Sequence, residues 1–198
     1  MATLHVTEAD GSAVLVEGET ITALGPYEEL TDAHPQARVR RWPGILTPGL
    51  LNPYGPEILE HTYHPDPREA DTYGTAPIGG ERAREIFRAD PSRLGASARR
   101  GVQRLFAHGT VALAGELRAK AVLDVAQRSG LVFAARPEGL PGPVSLSPKP
   151  LVLLPALTVS GPARFAVFDV ADRAELVAKG ASTCVATVVG GRLVYRGR

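Results

Sequence analysis

Apolar and polar positions alternate with a period near two over most of the first fifty residues. Thr3-Leu4-His5-Val6, Ala13 to Gly18 and Thr20 to Gly25 read as three strands, with Gly18-Glu19 suited to a tight hairpin between the last two. Tyr27 to Ala33 fits one or two helical turns, and Ala37 to Trp42 alternates Val39 with arginines like a half-exposed strand. Ile45 to Leu51 is β-like and broken at Pro48-Gly49. The period then changes. Leu94, Ala98, Val102, Leu105 and Phe106 recur at helical spacing and predict a helix over Ser92–Ala107 that stops at His108-Gly109. Leu117–Arg128 predicts a second helix, with Gly130 just beyond its end. Thr110 to Ala114 and Leu131 to Ala134 read as strands, so a βαβ-like unit is expected here. Leu151 to Leu154, Arg164 to Val170, Thr183 to Val189 and Arg192 to Tyr195 are further strands, the last two joined at Gly190-Gly191. Ala171 to Lys179 fits a short helix.

One stretch has neither period. Between Asn52 and Gly80 lie Pro53, Pro56, Pro65, Pro67 and Pro77, each lacking a backbone donor. A long ordered loop with little regular structure is expected, and loops of that length are often functional. Arg136 to Pro150 reads as a Pro/Gly-rich connector.

Composition narrows the function classes. Lys and Arg total 22 against 21 Asp and Glu, a formal net charge of +1, which gives no electrostatic case for nucleic acid or an anionic membrane. No apolar run approaches the ~18 residues of a membrane span, and no secretory leader is visible after Met1. Cys184 is the single cysteine and sits in a strand-like context, so a buried inert thiol and a cytoplasmic setting are expected. A complete (β/α)₈ barrel needs about 250 residues, more than the 198 here.

Two segments at opposite ends of the chain matter together. The first runs from Val16 to Gly25 and continues at Ile45-Leu46-Thr47-Pro48-Gly49-Leu50-Leu51-Asn52. The second is Phe165-Ala166-Val167-Phe168-Asp169-Val170, followed by Val185 to Tyr195. In that order they resemble the flanks of the amidohydrolase superfamily, in a form similar to imidazolonepropionase and aminodeoxyfutalosine deaminase. A weaker likeness to the first helix, strand and helix of such a barrel runs from Arg100 to Leu131. The resemblance implies a small composite β domain, 1–50 plus 151–198, carrying an insertion over 51–150. In the family the Pro-Gly-Leu segment leads to a His-x-His pair that holds a divalent metal. Here those two positions carry Tyr54 and Pro56, so the family's metal and catalytic residues do not transfer.

The richest polar segment is Glu60-His61-Thr62-Tyr63-His64-Pro65-Asp66-Pro67-Arg68-Glu69-Ala70-Asp71. Imidazoles and carboxylates together can bind Zn²⁺ or act as general acids and bases. Glu60, His61, His64 and Asp66 are therefore the catalytic candidates, with His61 and His64 as metal candidates. The alternatives are a solvated loop or the wall of a small-molecule pocket. His108 is expected to cap a helix, and His5 and His34 to be structural. Arg40-Arg41 and Arg99-Arg100 are candidate anion holders, each weighed against a solvated charged face.

The fold expected is α/β or α+β, a composite β domain with a shortened α/β insertion and no complete barrel. Exposed strand edges would suit a homodimer. Two function classes stay open. One is a non-catalytic binding or accessory module for a small-molecule ligand. The other is a hydrolase or deaminase acting on a non-peptide C–N bond of a small cyclic or nucleoside-like substrate, in menaquinone- or histidine-related metabolism, with a divalent metal such as Zn²⁺ as its cofactor.

Overall fold

A computed structural model describes residues 2–139 and 143–197. The chain opens with β1 (Thr3–Thr7), β2 (Ser12–Glu17), β3 (Thr20–Pro26), α1 (Tyr27–Ala33) and β4 (Arg38–Trp42). Next come β5 (Ile45–Pro48), β6 (Leu50–Asn52), α2 (Gly55–Leu59), a 3-10 turn at Pro67–Glu69, α3 (Ala70–Tyr73), α4 (Gly80–Ala89) and α5 (Arg93–Phe106). Then follow β7 (Thr110–Ala114), α6 (Lys120–Arg128), β8 (Val132–Ala134), β9 (Val152–Leu153), β10 (Arg164–Phe168), α7 (Arg173–Lys179), β11 (Cys184–Val189) and β12 (Arg192–Arg196).

These strands form three four-stranded sheets. In the first, ordered β3-β2-β1-β4, β1 runs antiparallel to β2 and parallel to β4. The second, ordered β12-β11-β10-β5, is antiparallel throughout. It joins the two ends of the chain, since Phe165 lies opposite Pro48 and Phe168 opposite Ile45. The third, ordered β8-β7-β6-β9, has β6, β7 and β8 parallel and β9 antiparallel. This third sheet is open, with β8 and β9 at its edges. The architecture is thus mixed α/β without a closed barrel among the described residues.

The apolar positions that predicted α5 and α6 are the ones that pack. Ala98, Val102, Leu105 and Phe106 of α5 meet Val122 and Ala126 of α6 and Val111 and Leu113 of β7 in the largest buried cluster. Every residue of β7 is buried, as suits a parallel strand covered on both faces. Cys184 is buried against this region, and burial raises its thiol to about 11, so it stays protonated and inert.

The stretch 52–80 departs from expectation. Instead of an irregular loop it carries α2, a 3-10 turn and α3, and Tyr63 bridges to Ile78. The prolines explain the difference. Pro56 and Pro67 occupy first-turn positions, where the missing N–H has no intrahelical partner to lose and the fixed φ already suits a helix. Asp66 adds a capping box: its side chain accepts from Arg68 N, and its own N–H donates to Glu69. These prolines start short helices rather than preventing them.

Candidate functional site

In open α/β sheets, ligand crevices lie outside the carboxyl ends of the strands. The corresponding face here is made by the segments that follow β6, β7 and β8. After β6, Asn52 turns the chain: its Oδ1 accepts from Tyr54 N at 3.0 Å, and its Nδ2 donates to Ser145 O at 2.9 Å. That turn delivers α2 and, beyond it, Glu60 and His61. After β7 come Gly115, Glu116 and Arg118, and after β8 comes Arg136. Glu57, Glu60, His61, Glu116, Arg118 and Arg136 line a groove of about 380 Å³.

Most of the charged groups in this groove are already engaged. Glu60 Oε1 accepts from the backbone N–H groups of Arg118 and Ala119, each at 2.7 Å. These amides open α6, where a carboxylate complements the helix dipole. Arg136 Nη2 donates to both oxygens of Glu57 at 2.8–2.9 Å. Gly115 has φ +92, and a Cβ there would stand 2.7 Å from Pro56 Cδ and 2.9 Å from Arg136 Nη2. The α2 segment and Arg136 therefore close over a position that only glycine fits.

The four sequence candidates do not form one site. Glu60 and His61 line the groove, and His61 is exposed. Asp66 lies in a separate cavity of about 320 Å³, beside Tyr63, Glu69, Arg93 and Arg100. There Tyr63 Oη donates to Glu69 at 2.5 Å, Arg93 donates to Glu69 at 2.6 Å, and Arg100 pairs with Asp66 at 3.3 Å. His64 belongs to neither cavity and is 0% exposed. Its N–H donates to Ser97 Oγ at 2.9 Å, its carbonyl accepts from Arg100 Nε at 2.7 Å, and its ring Nε2 lies 2.9 Å from Ile58 O. Its Nδ1 is buried without a hydrogen-bond partner among the described residues. Burial, reinforced by Arg104 and Arg100, holds this ring down at about 4, so it is neutral at ordinary pH.

The donor set on this face does not fit a divalent metal. Tyr54 caps the start of α2, and Pro56 in its first turn has no ligand atom. His64 spends its ring Nε2 on the Ile58 carbonyl, which leaves His61 as the imidazole in the groove. Among the described residues no group of three or more His, Cys, Asp or Glu gathers as a metal-ion ligand set. Of the other histidines, His108 places Nδ1 2.8 Å from Arg104 O at the end of α5. His5 is buried, accepts from Trp42 Nε1 at 3.2 Å and stacks edge-on against Phe165. His34 is exposed at the end of α1.

Sequence reasoning missed Glu57, Glu116, Arg118 and Arg136 as groove residues. A usable signal was present: Glu116 and Arg136 each follow a strand by two residues, the position at which α/β sheets present their functional side chains.

Comparison with known proteins places part of this chain. Residues 13–37, which include most of β2 and all of β3 and α1, match the family described as imidazolonepropionase-like composite domain, bacteria. This segment is similar to that composite domain. The match falls on the N-terminal of the two segments behind the amidohydrolase resemblance and supports that relationship. No curated protein matches the sequence. Among solved structures, N-isopropylammelide isopropylaminohydrolase from Burkholderia multivorans is similar at 22% identity and a TM-score of 0.44, over 70% of this chain and 38% of its own. Guanine deaminase from Bradyrhizobium japonicum is similar at 19% identity and a TM-score of 0.42, over 63% of this chain and 27% of its own. Escherichia coli guanine deaminase gives 14% identity and 0.42, over 68% and 36%. The chain thus spans well under half the length of these structures.

Proposed function

We propose that this chain is a non-catalytic binding module related to the amidohydrolases, with its ligand site in the groove at the ends of β6, β7 and β8. The observation that carries the reading is the commitment of two of the groove's three carboxylates, Glu57 and Glu60. Glu60 holds the two amides that open α6, and Glu57 is clamped by Arg136. A general base has to reach its substrate, whereas Glu57 and Glu60 are held in place tying together the segments that follow β6, β7 and β8. The replacement of the His-x-His pair by Tyr54 and Pro56 supports the same conclusion. What remains for a ligand is a preformed polar wall with exposed His61, Glu116 and Arg118, suited to a small polar molecule.

The test is ammonia release from a panel of small cyclic and nucleoside-like amines, with and without added Zn²⁺, beside metal analysis of the purified protein. The expected result is release no faster than the protein-free reaction. Metal-dependent turnover that is lost in His61→Ala would overturn the proposal in favour of a C–N hydrolase.

A further inference from the structure

A second concave site lies away from the groove, between β4 and β12, the edge strands of the first and second sheets. Arg38, Arg40, Arg41, Trp42, Leu193 and Arg196 line a cavity of about 260 Å³ there. Alternation along β4 sends Arg38, Arg40 and Trp42 to one face. Arg41 turns the other way, donating to Tyr27 Oη at 2.8 Å with its guanidinium 4.6 Å from that ring. Arg196 comes from β12 and lies 5.8 Å from the Trp42 ring centroid. The indole beneath is fixed by its bond to His5.

Three guanidiniums therefore converge, and the ion pairs among the described residues involve none of them. Burial, with Arg38 and Arg196 nearby, pushes Arg40 below the usual arginine range, the mark of like charges facing one another. Charged side chains commonly blunt exposed strand edges. That role is filled by side chains that splay into water. Here Arg40 is half-buried between exposed Arg38 and Arg196, and all three line one cavity, at a cost in repulsion that an edge defence does not require. Guanidinium matches phosphate oxygens in pairs, and its charge is permanent.

We propose that this cavity is a binding site for a phosphate-bearing small molecule, with Arg38, Arg40 and Arg196 as its anion ligands and Trp42 as its floor. Trp42 is the only tryptophan in the sequence, so its fluorescence reports the site directly. The experiment titrates the full chain, at constant ionic strength, with pyrophosphate, orthophosphate and ribose 5-phosphate, following Trp42 emission and thermal midpoint. A saturable emission change is expected, with sulfate much weaker. Tighter binding of ribose 5-phosphate than of the inorganic anions would assign a phosphate ester, and the reverse an inorganic phosphate. Arg40→Gln and Arg196→Gln should each weaken binding roughly tenfold or more, about the loss of one charge-assisted bond. Arg173→Gln, on the remote α7, should leave it unchanged.

Without ligand, Arg40→Gln should raise the thermal midpoint by relieving the repulsion, whereas a purely structural arginine would lower it. No saturable change, or equal weakening in Arg173→Gln, would overturn the site. So would a response to polyglutamate without one to pyrophosphate, which would assign the cavity to an acidic peptide.

Discussion

His61 and His64 stand three residues apart, yet they occupy opposite environments. His61 is exposed on the groove, while His64 is fully buried against α5 and α2. A His-x-x-His spacing would place both rings on one side of a helix. Here the non-helical path from Glu60 to Asp66 leaves one ring exposed and the other buried. One half of this segment faces solvent and the groove. The other half is a structural pin. The difference shows that residue type and spacing name candidates, while backbone path assigns their roles.

Truncating each ring in turn should give the largest difference between the two histidines. His64→Ala removes a fully buried side chain and leaves the Ile58 carbonyl unpaired. A loss of about 2–5 kcal/mol is expected. His61→Ala removes an exposed ring and should stay within about 0.5 kcal/mol. Urea unfolding of the two variants checks this, and equal losses would refute the division into pin and groove.

Acid sharpens the same contrast. His64 is held to about 4 by burial, then by Arg104 and Arg100, and His5 to about 4 by burial, then by Arg40. Unfolded, each would titrate near 6.5. Between those values the unfolded chain binds more protons than the folded one. The stability these neutral rings contribute is therefore complete above pH 6.5 and is lost as the pH falls towards 4. The slope is about 1.4 kcal/mol per pH unit for each ring inside that window. Urea unfolding of the native chain and of His64→Gln between pH 7 and pH 5 should show about half the slope in the variant. Asp10 and Glu69, whose carboxyls are lowered chiefly by hydrogen bonds from Thr7 and Tyr63 respectively, act at lower pH and leave this window clean.

A smaller effect separates two glycines of α5. A Cβ on Gly101 would stand 2.8 Å from both His64 Nε2 and Leu59 Cδ2, whereas one on Gly95 would meet only Ala121 Cβ at 3.7 Å. Replacing helical Gly by Ala gains about 1 kcal/mol in propensity, and overpacking costs about 1–3 kcal/mol. Gly95→Ala should therefore stabilise the protein by up to about 1 kcal/mol. Gly101→Ala should destabilise it by a similar amount, because the rigid His64 pin cannot move aside. Thermal unfolding of both variants decides it.

Much of the fold was legible in local pattern. The strand at Thr110–Ala114, the helix that carries Ala98 and Val102 and the hairpin at Gly190-Gly191 appear within a few residues of expectation. Each depends on period and turn chemistry alone. Pairing of β5 with β10 is not a local property, and only the family resemblance pointed to it. The region 52–80 was misread because proline carries two meanings, breaker inside a helix and starter at its first turn, and Pro56 and Pro67 take the second. Among the site residues, Glu60 and His61 were found because they are chemically conspicuous. Arg136 was missed because its partner Glu57 is 79 positions away in sequence.

The gentlest test concerns Glu60, the residue that belongs to both halves of the contrast. It lines the groove, yet its Oε1 accepts two amides at the head of α6. Glu60→Gln keeps a carbonyl oxygen for those amides and removes the charge that complements the helix dipole. The charge alone is worth about 0.3–1 kcal/mol at a helix end, so the variant should lose no more than that. Glu60→Ala also strands both amides and should lose about 1–2 kcal/mol, as helix caps do. If the carboxylate were a reacting group, the two variants would be equally inactive and similarly stable. If it is a cap, the glutamine variant retains most of the protection of the Arg118 and Ala119 amides in hydrogen exchange, and the alanine variant loses it.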